Sequence, residues 1–208
     1  MRVLTDINPS SNKSPDPSTS WLKYSPVGEF RELADIVFEG ADQLYLADQE
    51  GKKLSGDFPL VVWQQSTPIS QLALAKRIVE ETKPSSKSVV LVANAGEAMR
   101  GRYDRKWEAR EGNLHVTVLL RETMPVTFVG VGYSVLPILA IVDFVEGLVG
   151  GRRGVGVKWV NDIQFEGEKV GGALSESRIE GRNFTYAALG MGVNTGVAPK
   201  ISPTSFVP

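Results

Sequence analysis

Between Gly154 and Asn194 two separate segments alternate glycine with larger residues, and no other feature constrains the fold as strongly. In Gly154-Val155-Gly156-Val157-Lys158-Trp159, a strand's period of two puts Gly154, Gly156 and Lys158 on one face and Val155, Val157 and Trp159 on the other. Leu189-Gly190-Met191-Gly192-Val193-Asn194 repeats the pattern, with Gly190, Gly192 and Asn194 opposite Leu189, Met191 and Val193. Glycine weakens a strand interior, so two such strands imply that something flat approaches the backbone closely. Gly167 and Gly181 mark hairpin turns between them, which makes the segment an antiparallel meander. If the first and last strands face the same side, the glycines form a floor on which Lys158 and Asn194 stand, a pocket for a planar anion. A thin-faced sheet with a surface lysine is the plain alternative.

With 208 residues, 42% of them hydrophobic, the chain can bury a full core and is read as one domain with a small extension. The absence of cysteine excludes disulfides, thiolate zinc sites and a cysteine nucleophile, and suits a cytoplasmic protein. His115 is the only histidine, so histidine-rich metal sites are excluded. A net charge of -1 gives no general attraction to nucleic acid. The stretch from Thr123 to Val142 carries no charge, and a membrane span needs about 20 apolar residues. Pro125, Gly130, Gly132, Ser134 and Pro137 interrupt it, so Val135, Leu136, Leu139, Ile141 and Val142 are expected in a helix against a sheet.

Residues 1–20 are expected as a flexible tail, because Asn8 to Ser20 contains no aliphatic side chain. Over 21–59 we expect a helix capped by Ser25, opened by Pro26 and buried through Phe30, Leu33, Ala34 and Val37, then a short strand Leu44–Ala47. Acids outnumber bases from Gly28 to Asp57, which argues against a DNA-reading helix pair. The main domain is expected over 60–208. It opens with strand Leu60–Gln64, then a helix starting at Thr67-Pro68 with Leu72, Ala75, Ile78 and Val79 inward, then strand Ser88–Ala93. Leu114 to Leu120 alternates as a half-buried strand containing His115.

Between the last two strands lies a basic loop in which Arg100, Arg102, Arg105 and Lys106 fall within seven positions. Solvated loops are commonly this basic. Here Gly101 lets the backbone wrap a ligand while Arg100 and Arg102 reach phosphate oxygens, and Trp107 offers a stacking face for a purine. Neither a Walker-type glycine loop nor a dinucleotide-binding glycine motif is present.

Three ordered blocks resemble the biotin protein ligases, within the wider biotin/lipoate ligase group. They are Arg100-Gly101-Arg102 with Arg105-Lys106-Trp107, then Lys158-Trp159-Val160-Asn161-Asp162-Ile163 with Lys169-Val170-Gly171-Gly172, then Gly190-Met191-Gly192-Val193-Asn194. Ser66-Thr67 stands where that family has a Ser-Thr-Asn helix start. The resemblance implies an α+β fold, a mixed and largely antiparallel sheet backed by helices, related to the class II aminoacyl-tRNA synthetase core. It also implies a two-step reaction: biotin and ATP form biotinyl-adenylate, and a lysine of a biotin carboxyl carrier domain takes the acyl group.

Fixed positive charge is the main need when a carboxylate attacks a phosphate, so Lys158 is the expected catalytic residue, with Arg100 and Arg102. The resemblance places Arg100, Arg102, Arg105, Trp107, Asn161, Asp162 and Asn194 toward the nucleotide and its Mg²⁺. It places Ser66, Thr67, Gly101, Gly171 and Gly172 toward biotin. For Asn161 and Asp162, shaping a turn is as good a reading as touching a ligand; for Ser66 and Thr67, helix capping is nearly as good. Met99 and Asp104 stand where the family has loop glycines, Gly96 near a usual glutamine and Pro68 at the usual asparagine. Gly96 and Pro68 lie on the acid side, while the phosphate-side blocks are intact. We expect neither a DNA-binding domain before this unit nor a β-barrel after it, and neither nucleic acid nor membrane as a partner. A carrier domain or a second copy could pair with exposed strand edges. The competing readings are a ligase for lipoate or another ring-bearing acid, lacking its arginine-serine-glycine signature, and a non-catalytic binding member.

Overall fold

The computed structural model describes residues 2–11, 20–25, 30–48, 60–83 and 87–197. Eleven strands form one sheet: β1 (Arg2–Thr5), β2 (Leu22–Tyr24), β3 (Leu44–Asp48), β4 (Leu60–Thr67), β5 (Val89–Gly96), β6 (Leu114–Leu120), β7 (Met124–Pro125), β8 (Val155–Lys158), β9 (Asp162–Phe165), β10 (Glu168–Glu180) and β11 (Asn183–Val193). Their order is β2-β3-β1-β4-β5-β6-β11-β10-β9-β8, with β7 attached to β11. β4 runs parallel to β1 and β5, and the other pairings are antiparallel. The helices are α1 (Arg31–Val37), α2 (Gln71–Glu81), α3 (Val126–Val129) and α4 (Gly132–Val149). This is the expected α+β class, with helices on both faces of the sheet.

On one face α1 and α2 press Leu33, Val37, Leu74, Ala75 and Ile78 onto Leu4, Leu60, Val62, Leu91 and Leu119. On the other, α4 presses Ile138, Ile141 and Val145 onto Ile163, Ala173 and Val193. Each of the leucine, isoleucine and valine side chains contributes roughly 1.5–3 kcal/mol by leaving water. Ser70 caps α2 by accepting from the Ala73 amide at 3.1 Å. Arg121 closes the other end of the helix, donating to the Ile78 carbonyl and, at 2.9 Å, to the Lys83 carbonyl.

Several local expectations change in three dimensions. The stretch read as a tail contributes a strand: β1 buries Val3, Leu4 and Thr5 between β3 and β4, so the N-terminal region continues the main sheet. Within that stretch, residues 12–19 lie outside the described residues. Pro26 lies outside them too, and α1 starts at Arg31 with Phe30 as a cap that makes no side-chain bond.

Ser66 and Thr67 do not begin a helix. They remain paired with Ala95 and Gly96 at the end of β4, and α2 starts at Gln71. Sheet pairing of β4 with β5 outcompetes the local Thr-Pro signal. His115 is buried at 1% exposure instead of half-buried, its ring set against the Arg110 carbonyl and its strand partner Gly192 lying under Trp107.

In α4 the inward residues are Tyr133, Pro137, Ile138, Ile141 and Val145, whereas Leu136 and Leu139 are 50% and 56% exposed. A period of 3.6 turns those two away from the sheet. From Val126 to Val149 the helical region is long and apolar enough to cross a membrane by length and composition; one face of it packs on the sheet, and Phe128, Leu136, Leu139 and Leu148 are exposed.

Candidate active site

The meander has three turns rather than two. β8 ends at Lys158 and β9 begins at Asp162, so Trp159 lies in a tight turn instead of on a strand face. Glu166 and Gly167 adopt φ of 51° and 87°, the paired left-handed conformation of a two-residue hairpin, and Gly181 turns β10 into β11. Only Val155 of the expected packed face meets the core; Val157 is 44% exposed and Trp159 77% exposed. β8 is the sheet's outermost strand and runs past the cover of α4.

The two glycine segments do not meet as expected: β9 and β10 lie between β8 and β11, Gly156 pairs with Gln164, and it is Gly172 of β10 that neighbours Gly192. Lys158 pairs with Asp162, Asp162 with Gly172, Gly172 with Gly192, Gly192 with His115, His115 with Ala93, and Ala93 with Gln64. Directly paired residues share a face, so these seven form one continuous row on the α2 side. Neighbouring strands lie about 4.8 Å apart, which puts Lys158 about 14 Å from Gly192 along the row. Gly190, on the same face, lies beneath Leu72 of α2, and beyond that helix the row is open to the loop.

The basic loop folds over this floor. Bridges between Gly96 and Ala109 and between Arg100 and Lys106 make it a small hairpin, closed at its base by the Trp107 amide donating to the Met99 carbonyl at 3.0 Å. The Trp107 indole lies on Gly192 so closely that a Cβ there would be 2.6 Å from Cζ2. Glycine at 192 is therefore a requirement of contact, as the alternation implied. Lys169 stands 5.7 Å from the same ring and binds Asp162 at 2.7 Å. Lys158 and Lys169 stand on the floor, and Arg100, Arg102 and Arg105 belong to the hairpin whose Trp107 covers it; Arg100 pairs with Asp104 at 3.5 Å and Lys169 with Asp162.

Residues 62–194 match the profile of the Biotin/lipoate A/B protein ligase family. The chain belongs to that family. The bifunctional ligase/repressor BirA of Bacillus subtilis is 30% identical over 118 residues, covering 56% of this chain and 35% of that protein. The biotin–[acetyl-CoA-carboxylase] ligase of Paracoccus denitrificans is 33% identical over 114 residues, covering 55% of this chain and 47% of that protein. The chain thus matches less than half the length of either relative. The biotin protein ligase of Leishmania major in complex with biotin aligns with TM-score 0.52 at 25% identity, over 69% of this chain and 59% of that one. Its complex with biotinyl-5-AMP aligns with TM-score 0.51 at 24% identity, over 69% of this chain and 60% of that one.

Within this ligase-family fold, the expected site residues do not all converge. Lys158, Asp162, Gly172 and Trp107 share the floor, whereas Gly171 faces the opposite side, where a Cβ would be 3.2 Å from Ile141 of α4. Adjacent residues of a strand alternate faces, so of the Gly171-Gly172 pair only the second belongs to the floor. Asn161 donates to the Ala173 carbonyl at 3.1 Å and its own carbonyl accepts from the Ala173 amide, so it shapes the turn into β9. Asn194 is held at 3.2 Å by Asn113, which also accepts from the Gly196 and Val197 amides. Ser66 and Thr67 end β4, with the Thr67 hydroxyl donating to the Ile69 carbonyl.

The loop departures now have a spatial explanation. Asp104 stands at φ 58°, the left-handed region a glycine would take freely, and its carboxylate and carbonyl both engage Arg100. Arg102 stacks on Tyr103 at 4.7 Å. Gly96 and Met99 are a coupled pair, since a Cβ at 96 would be 2.9 Å from Cγ of the buried Met99. A side chain at 96 and methionine at 99 cannot coexist here without rearrangement.

Sequence reading missed Lys169, Asn113 and Gln71. Lys169 was visible as part of a block but had no role; the other two carry no motif and are placed only by the fold. His115 was seen and set aside. Its Nε2 lies 3.3 Å from the Arg110 carbonyl, and burial pushes its pKa below the ordinary 6.5. The folded protein therefore resists a proton that the unfolded chain accepts, so stability is full above pH 6.5 and falls as pH drops below it. Urea unfolding from pH 8 to 5 should show that decline, and His115→Gln should flatten it.

Proposed function

We propose that this unit activates biotin with ATP as biotinyl-5′-AMP and passes the acyl group to a lysine of a biotin carboxyl carrier domain. The observation that carries the reading is the row Lys158-Asp162-Gly172-Gly192 with the arginine loop's Trp107 laid on Gly192. It supplies a flat floor, a fixed cation at one end and a basic flap above.

In the first step a carboxylate oxygen attacks the α-phosphorus, the bond to pyrophosphate breaks, and two anions must be held together. Lys158, with Arg100 and Arg102, stabilises the charge that builds in that transition state. Arg105, Trp107, Asp162 and Asn194 are assigned to the nucleotide, with Asn161 and Asn113 positioning the elements that carry them. Ser66, Thr67, Gly101 and Gly172 are assigned to the acid, and Mg²⁺ would arrive on the triphosphate. In the second step the carrier's lysine amine attacks the acyl carbonyl, and AMP leaves with the bonding electron pair.

Exchange of labelled pyrophosphate into ATP, measured with biotin, with lipoate and with no acid, tests this. Exchange dependent on biotin alone is expected. Exchange with lipoate alone would replace the substrate, and none with either acid from folded protein would leave a binding member without turnover.

A further inference from the structure

An asparagine amide can turn over and exchange its oxygen for its nitrogen, but at Asn194 the surroundings choose one setting. Its neighbour Asn113 precedes β6 and is 8% exposed. Leu114 pairs with Val193, so the next rung sets Asn113 opposite Asn194, on the face that carries Gly192. The Oδ1 of Asn113 accepts from the Gly196 amide at 3.1 Å and the Val197 amide at 3.0 Å, and its Nδ2 donates to the Val197 carbonyl at 2.8 Å. Backbone N–H groups only donate and backbone carbonyls only accept, so these three bonds fix which end of the Asn113 amide is oxygen. Asn113 can therefore offer Asn194 only a hydrogen, at 3.2 Å, and Asn194 meets it with Oδ1. The backbone around the pair is pinned as well. The Asn194 amide donates to the Val170 carbonyl at 2.7 Å, the Thr195 hydroxyl donates to the Gly112 carbonyl at 2.8 Å, and Gly196 sits so close to Gly112 that a Cβ would be 2.9 Å from its carbonyl oxygen. Among the described residues nothing accepts from the Nδ2 of Asn194. Asn194 is half-buried, and two residues of strand separate it by about 7 Å from Gly192, over which the Trp107 ring lies.

We infer that Asn113 is a positioning residue for the nucleotide. It spends the oxygen of Asn194 on itself, so that Asn194 meets the nucleotide as a hydrogen-bond donor and takes an acceptor atom of the nucleoside or of the phosphates. This rests on the acyl-adenylating reading above. A free asparagine would show the ligand either end, and the wrong end sets two acceptors against each other. Fixing the amide before the ligand arrives removes that cost from binding.

The test is equilibrium dialysis of the full chain with labelled ATP and with labelled adenosine. Asn113→Asp keeps an oxygen for the Gly196 and Val197 amides but has no hydrogen to give, so Asn194 turns over, donates to the carboxylate and shows the nucleotide its oxygen. ATP affinity should fall about tenfold or more, while the melting temperature stays near that of wild type. In an Asn194→Leu background, itself weak in ATP binding, adding Asn113→Asp should cost nothing further, because its effect runs through Asn194. A loss of the same size in both backgrounds means charge repulsion or damage to the turn and overturns the assignment, as does full ATP affinity in folded Asn113→Asp. Should that variant not fold, Asn194→Asp keeps an oxygen for Asn113 and lacks the donor; ATP bound as tightly as by wild type then overturns the assignment, and binding as weak as in Asn194→Leu supports it. A parallel loss of adenosine puts the acceptor in the nucleoside and a loss confined to ATP puts it in the phosphates, and either supports the donor role. Wild type that binds no ATP overturns the acyl-adenylating reading itself, a separate outcome.

Discussion

Lys158→Ala is expected to reduce biotin-dependent pyrophosphate exchange by roughly 10²–10³-fold while leaving the fold intact. The lysine is exposed at the end of the outermost strand, so its truncation opens no cavity, and surface changes of that kind stay within about 0.5 kcal/mol. On the proposed reaction, what it removes is a fixed cation needed as charge builds between carboxylate and phosphate. Biotin and ATP affinities should therefore change less than turnover. Matching melting curves with collapsed exchange support the role; full exchange in the variant removes Lys158 from the mechanism.

Gly192→Ala is the second large effect, and its comparison with Gly190→Ala is the informative part. At 192 a Cβ meets the Trp107 ring at 2.6 Å, a loop side chain that can move away. The chain should fold, but the flap should no longer seat on the floor, and ATP affinity should fall by about tenfold or more, the equivalent of 1.4 kcal/mol. In a Trp107→Ala background the same substitution should cost little more, because the clash is gone. At 190 the Cβ meets the Leu174 carbonyl oxygen of the paired strand at 2.9 Å, and backbone within a sheet cannot yield cheaply. Gly190→Ala should appear as lost stability of roughly 1–3 kcal/mol in chemical denaturation. Equal ATP-binding losses at both positions, with no difference in stability, would contradict this division of labour.

The floor was legible because strand alternation is a local rule. Gly190, Gly192 and Gly172 are adjacent across β10 and β11, and Lys158 joins them through Asp162. The Arg100-Gly101-Arg102 loop was legible as a basic run without apolar periodicity, and it is a hairpin flap. What misled was equally local. Thr67-Pro68 looks like a helix start, yet Thr67 stays in the sheet and Ser70 takes the cap three residues later. Leu136 and Leu139 look like core and face outward, because an apolar helix gives no sign of which side meets the sheet. β1 escaped notice since Arg2–Thr5 is too short to show a pattern, and only its pairing with β3 and β4 explains its place.

The residue types of this chain thus establish the chemistry available: a bare glycine face, one lysine on it, a clustered set of arginines and an aromatic ring, each readable from neighbours two to seven positions apart. Which of these meet is decided by strand order. β6 and β11, some seventy residues apart, become partners, and only then does His115 lie beside Gly192, Asn113 hold Asn194, and Gln71 reach Thr117. Contacts of that separation leave no periodic trace, because each depends on packing of whole elements against a common core rather than on any repeat within one of them.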